Sequence, residues 1–205
     1  MIASRYITYF LILMFLLSAV SSSFAKDITA PGFRDAADAF EVGNYVVAAD
    51  QFRVLAERGN ATAQFNYAQL LYKGVGTTVN FEEAWYWSWM ARLEGINEAI
   101  KLSNSIARDL TIEHEVNLIG RLRNTFEQEA RIGDADALSK MAIFLTEAQT
   151  EPNLAEGYVW ALVAQAVGQT DVKDIIQDAN ENLDLATRLE SQKKARLIFE
   201  KFKND

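Results

Sequence analysis

Trp85, Tyr86, Trp87 and Trp89 crowd a stretch of five residues, and Arg92 follows close behind. Trp, Tyr and Arg are the side chains that dominate protein-binding hot spots. At 100° per residue, Trp87 shares a helical face with Ala84 and Ala91, and Trp85, Trp89 and Arg92 point to the opposite side. Trp85, Trp89 and Arg92 are therefore the candidate partner-binding residues, with Trp85 or Trp89 expected to keep appreciable solvent exposure. In the competing arrangement this face packs on the next helix, 96–110.

Acid–base chemistry needs carboxylates that are buried and converge. The pairs Glu82/Glu83 and Asp134/Asp136 stand at helix starts, where the dipole favours anions and explains them without catalysis. His114 is the single histidine, flanked by Glu113 and Glu115. Neighbours at i±1 do not face each other on a helix, so His114 reads as a solvated surface residue. One histidine and no cysteine exclude multi-histidine and thiolate metal sites, disulfides and cysteine nucleophiles. Gly74-Val75-Gly76 is too short for a phosphate loop and no Lys-Ser or Lys-Thr follows it. Asn60-Ala61-Thr62 fits a glycosylation sequon by pattern alone. No catalytic, cofactor-binding or metal residue is assigned, and no cofactor is expected.

The elements that position these residues are helical. Ala61 to Gly95 occurs a second time as Ala135 to Gly168. Ala68 answers to Ala142, Leu71 to Leu145, Asn80 to Asn153, Trp87 to Trp160, Ala91 to Ala164 and Gly95 to Gly168. Such duplication means stacked helical hairpins, because one hairpin cannot bury its apolar face alone. Apolar spacing predicts helices over 33–42, 45–56, 61–72, 81–93 and 96–110. Thr111 is the expected cap of a further helix whose stripe is Val116, Ile119, Leu122 and Phe126, and Gly133 is expected to end it. Helices over 135–147, 154–167, 172–187 and 189–202 complete the chain, and no strand-like alternation runs longer than a few residues.

The first 25 residues carry Arg5, an apolar run from Tyr6 to Val20, and small residues at Ser23 and Ala25. This fits a signal peptide cut after Ala25, since a membrane span needs about 20 apolar residues. No cysteine follows for lipid attachment. The chain from Lys26 would keep 19 basic and 28 acidic residues, a net charge of −9. That balance repels nucleic acid and anionic surfaces. The division expected is 1–25 signal peptide, 26–32 flexible N-terminus and 33–205 a single helical domain. Within that domain lie a leading hairpin 33–58, a first repeat 59–95, a hairpin 96–131, a second repeat 133–168 and a C-terminal hairpin 171–203.

The first copy resembles the Sel-one-like repeat, a branch of the tetratricopeptide-like solenoids. Ala63, Gln64, Asn66, Tyr67 and Ala68 sit at its first-helix positions, with Leu71 at the usual tyrosine. Gly74 and Gly76 match its loop, with Asn80 replacing an aspartate, and Ala84, Trp87, Ala91 and Gly95 match its second helix. Ser88 and Arg92 depart from it. The second copy has Ala148 and Thr150 for the loop glycines and Gly157 where the alanine belongs. Phe33 to Gly59 is similar to a leading tetratricopeptide hairpin through Gly43, Tyr45, Ala48, Phe52 and Ala56.

The resemblance implies an all-α, right-handed superhelical solenoid of antiparallel helix pairs. It further implies an exported, non-enzymatic scaffold or regulator, periplasmic, that binds another protein, such as a cell-envelope protein. The acidic balance suggests a basic partner segment. No nucleic-acid partner and no stable membrane anchor after cleavage are expected. Two alternatives stay open. One is an envelope enzyme acting on the wall or an antibiotic, against which stands the lack of the cysteines that pair in the β-lactamase-like members. The other is a self-associating structural module built on its C-terminal helices.

Overall fold

The computed structural model describes residues 32–131, 134–147 and 153–204. The expected signal peptide, the cut after Ala25, the stretch from Lys26 to Pro31, Gly133 and the 148–152 loop lie outside the described residues. Among the described residues the chain is all-helical, with ten helices and no strand. They are α1 (Phe33–Glu41), α2 (Tyr45–Glu57), α3 (Ala61–Lys73), α4 (Phe81–Leu93) and α5 (Asn97–Ala107), then α6 (Ile112–Arg131), α7 (Asp136–Glu147), α8 (Leu154–Ala166), α9 (Lys173–Asn182) and α10 (Leu185–Asn204).

The two copies use equivalent residues for the same local tasks. Asn80 and Asn153 cap α4 and α8, each side chain accepting from the backbone N–H three residues on at 3.0 Å. The N–H of Asn80 donates to the Leu71 carbonyl at 3.1 Å, and that of Asn153 to the Leu145 carbonyl at 3.0 Å. Past the second helix of each copy, Gly95 and Gly168 adopt φ of 86° and 101°. Glycine carries no Cβ penalty in this left-handed region and so ends each helix.

Helices α1 to α5 pack in sequence, each on the next. The order then breaks. Helices α5 and α6 barely touch, and α6 packs on α7 and α4 instead. Helices α9 and α10 also do not pair with each other, since both lie on α8. The segments read from sequence as hairpins, 96–131 and 171–203, are thus held through third helices rather than by self-pairing. The reason lies in the apolar faces. Helix α6 buries Leu118, Leu122 and Phe126, spaced by four, and Phe126 meets Phe144 of α7 at 6.4 Å between ring centroids. The expected stripe is rotated accordingly: Val116 is 60% exposed and Ile119 only half-buried.

The break between the last two helices falls earlier than the expected 187/189. Asp184 stops α9 by capping α10, its carboxylate accepting from the Thr187 N–H at 2.9 Å and hydroxyl at 2.7 Å. These bonds hold the Asp184 carboxyl below its ordinary range.

Two cores result. The larger joins α2 to α10 around Trp85, Trp89, Phe126, Phe144 and Trp160, and the smaller joins α1, α2 and α3 around Ala36, Phe52, Ala63 and Leu70. Tyr67 packs against both. Small residues at Ala63, Ala68, Ala84 and Ala91 are fully buried, which lets neighbouring helices approach closely.

Candidate functional site

Helix α4 is buried on every side. Ala84, Trp85, Tyr86, Trp87, Ser88, Trp89 and Ala91 are all inaccessible or nearly so. Trp85 keeps 1% of its surface and Trp89 keeps 2%, so the expected exposure of one or the other is overturned. Their cover comes from Phe144 of α7, whose ring centroid lies 6.1 Å from Trp85 and 5.2 Å from Trp89, in edge-on contact. A helix apolar all round must be buried, and here the covering side chain stands over fifty residues away in sequence. The Trp85 indole N–H has no hydrogen-bond partner.

Arg92 is on the same face, at the edge of this cluster. Its guanidinium stands 4.1 Å from the Trp89 ring centroid and 2.5 Å from Glu147 of α7. It also donates to Ser103 and Asn104 of α5 at 3.4 Å each. The three candidate residues are thus brought together as an interior joint between α4, α5 and α7.

The carboxylates are engaged one by one, mostly by cations from elsewhere in the chain. Glu82 faces His114 Nε2 at 3.3 Å, and His114 Nδ1 bonds the Thr111 hydroxyl at 2.5 Å. This partner of His114 comes from α4, across the helix junction. Glu83 takes Arg121 in a two-pronged pair, and the Arg121 guanidinium lies 3.8 Å from the Tyr86 ring centroid. Burial lowers the Arg121 pKa and the bonds to Glu83 more than offset it. Asp134 accepts from the Asp136 backbone N–H at 3.0 Å. Asp136 and Glu94 both hold Lys140, at 2.8 and 2.5 Å. Burial lowers the Lys140 pKa, and these two bonds more than offset it, for a net increase. Beside them the Glu129 carboxyl is pushed up, first by burial and then by Asp134, Glu94 and Asp136. Among the described residues no group of histidine or carboxylate side chains is arranged to hold a metal ion.

The open concave surfaces are elsewhere. One groove, about 310 Å³, lies between α1, α2 and α3. Phe33, Ala37 and Phe40 form one wall, Phe52, Leu70 and Val75 the floor, and Glu41 and Lys73 stand among its lining residues. Phe33 and Phe40 remain 37% and 42% exposed. The second groove, about 560 Å³, lies between α6, α8 and α10 and is more polar, with the Arg123–Glu156 ion pair, Ser191 and Lys194 around Trp160. The signal for the first groove was present in the chain. Phe33, Ala37 and Phe40 are spaced i, i+4, i+7 on the first helix, and among the described helices α2 alone packs closely against it. The second groove joins residues from 123 to 198, a proximity no local pattern encodes.

No family model matches the chain, and no curated protein matches it either.

Proposed function

We propose that this chain is an exported, non-enzymatic helical-repeat protein that binds another protein, with its helix pairs wound as a right-handed superhelical solenoid of the Sel-one-like kind. The leader-like residues 1–25 support export, with the periplasm as the compartment. The matched caps and turns of the two copies support the repeat reading. The α1–α3 groove, with large apolar side chains left open to solvent, carries the binding reading.

The occupant of that groove is a basic segment with apolar anchors at helical spacing. The 33–57 stretch holds two basic and five acidic residues, net −3. Asp38 and Glu41 are exposed on α1. Apolar anchors enter between Phe40, Phe52 and Leu70, and flanking cations meet the acidic helix, as in helix-in-groove recognition. The test is a photo-reactive benzoylphenylalanine in place of Phe40, irradiated in the native envelope. A stoichiometric protein adduct at the groove, lost in Phe40→Glu protein probed from Phe33, supports the reading. Irradiation that yields no adduct of any protein with the groove removes it.

A further inference from the structure

The molecule carries opposite charge and exposed apolar side chains at its two ends. At one end stand α1 and α2, net −3, with Phe33, Phe40, Tyr45 and Val46 exposed. At the other stands α10. Residues 185–204 hold six basic and two acidic side chains, net +4, within a chain of net −8. The helix buries Ser191 and Ala195 and half-buries Ile198 and Phe202 on the side toward α8. Away from that contact Leu185 and Leu189 are 62% and 55% exposed, and Leu197, at the rim of the α6–α8–α10 groove, is 65% exposed. With Lys193 these leucines fall at i, i+4, i+8 and i+12, one continuous ridge. Arg196 is exposed next to it.

We infer that the α10 ridge of one copy docks on the acidic α1–α3 groove of a second copy, so that the chain assembles head to tail. This rests on the groove being a binding surface and names its occupant. Ridge-into-groove packing seats leucines against Phe33, Ala37 and Phe40, and Lys193 and Arg196 face Asp38 and Glu41. Neither end can satisfy itself. Two α10 ridges bring net +4 against net +4, and two α1–α2 ends bring net −3 against net −3, which opposes a symmetric dimer. The pairing is therefore between unlike surfaces, and every open assembly keeps one free groove and one free ridge.

Light scattering and sedimentation of the purified protein at low salt test this. The parent should associate with rising concentration and dissociate as salt is added. Asp38→Lys/Glu41→Lys and Lys193→Glu/Arg196→Glu proteins should each stay monomeric, with the apparent Kd raised at least about tenfold. Mixed together, these two variants pair intact ridge with intact groove and inverted ridge with inverted groove, and should associate in alternation although neither does so alone. All four substitutions on one chain should restore association by inverted charge. The inference is overturned if the parent is monomeric at every concentration, if either reversal variant associates as the parent does, or if the mixture stays monomeric. It is also overturned if the benzoylphenylalanine at position 40 joins residues 26–31 of its own chain or a foreign protein rather than 185–200 of a second copy. A foreign adduct leaves the groove reading standing and removes only self-assembly.

Discussion

The Arg92 guanidinium carbon stands 4.1 Å from the centroid of the Trp89 ring. The same group reaches Glu147 at 2.5 Å. Arg92 keeps 13% of its side-chain surface whereas Glu147 keeps 48%, so the two partners should not cost the same when removed. Arg92→Ala loses the ring contact, the pair and the bonds to α5, about 1–2 kcal/mol. Glu147→Ala breaks a half-exposed ion pair, below about 1 kcal/mol. Urea unfolding of the two variants measures this. Equal losses would mean that the ion pair, not the ring contact, carries the joint.

Burial of the tryptophans has a direct optical consequence. Trp85, Trp87, Trp89 and Trp160 keep 1, 9, 2 and 5% of their surface. Iodide and neutral acrylamide should quench the folded protein's fluorescence several-fold less than the urea-unfolded chain's. A native quenching constant close to the unfolded one would place a tryptophan at the surface and return Trp85 or Trp89 to the list of binding candidates.

Gly157 stands in α8 where the first copy has Ala84. A Cβ there would lie 2.4 Å from the Thr146 methyl and 3.2 Å from the Ala142 carbonyl oxygen. In an open helix, alanine for glycine gains about 1 kcal/mol. Here Gly157→Ala should instead destabilise by about 1–3 kcal/mol through overpacking. In a Thr146→Ala background the clash with the methyl is gone, and the same substitution should become neutral or stabilising. A double-mutant cycle by thermal unfolding reads the coupling, and additive effects would contradict it.

The Glu129 carboxyl is raised above its ordinary value of about 4.5, chiefly by burial, with Asp134, Glu94 and Asp136 adding to it and Lys140 opposing. A carboxyl raised on folding holds its proton more tightly in the folded state. It therefore supports the fold below the unfolded value, and that support is lost as pH rises through the folded value. Glu129→Gln should be more stable than the parent at pH 7, with the gap closing as pH falls toward about 4.5. A variant less stable than the parent at pH 7 would show that the attraction to Lys140 outweighs burial and the acidic neighbours.

Much of the helical framework is legible in the chain. The helix over 81–93 appears as Phe81–Leu93, because Asn80 caps it and Gly95 ends it by local backbone chemistry. The asparagine caps and the small-residue contacts depend on residues a few positions apart, and so they show in the sequence. The Asp184 cap is equally local, but the apolar spacing that predicts the helix runs unbroken across it.

What the sequence determined by itself is therefore the set of elements and the duplicated turn chemistry, both short-range. Tertiary structure decided which faces are inside. A helical wheel sorts Trp85 and Trp87 onto opposite sides of α4 and is silent on what covers each. Phe144 covers the Trp85 side, and its distance in sequence hides that contact. Phe33 and Phe40 meet the opposite outcome. Their spacing matches that of a buried stripe, yet they stay open in the α1–α3 groove, where no other described helix caps that end of the molecule. Burial is a property of the assembled neighbours, whereas helix formation depends on local spacing and capping.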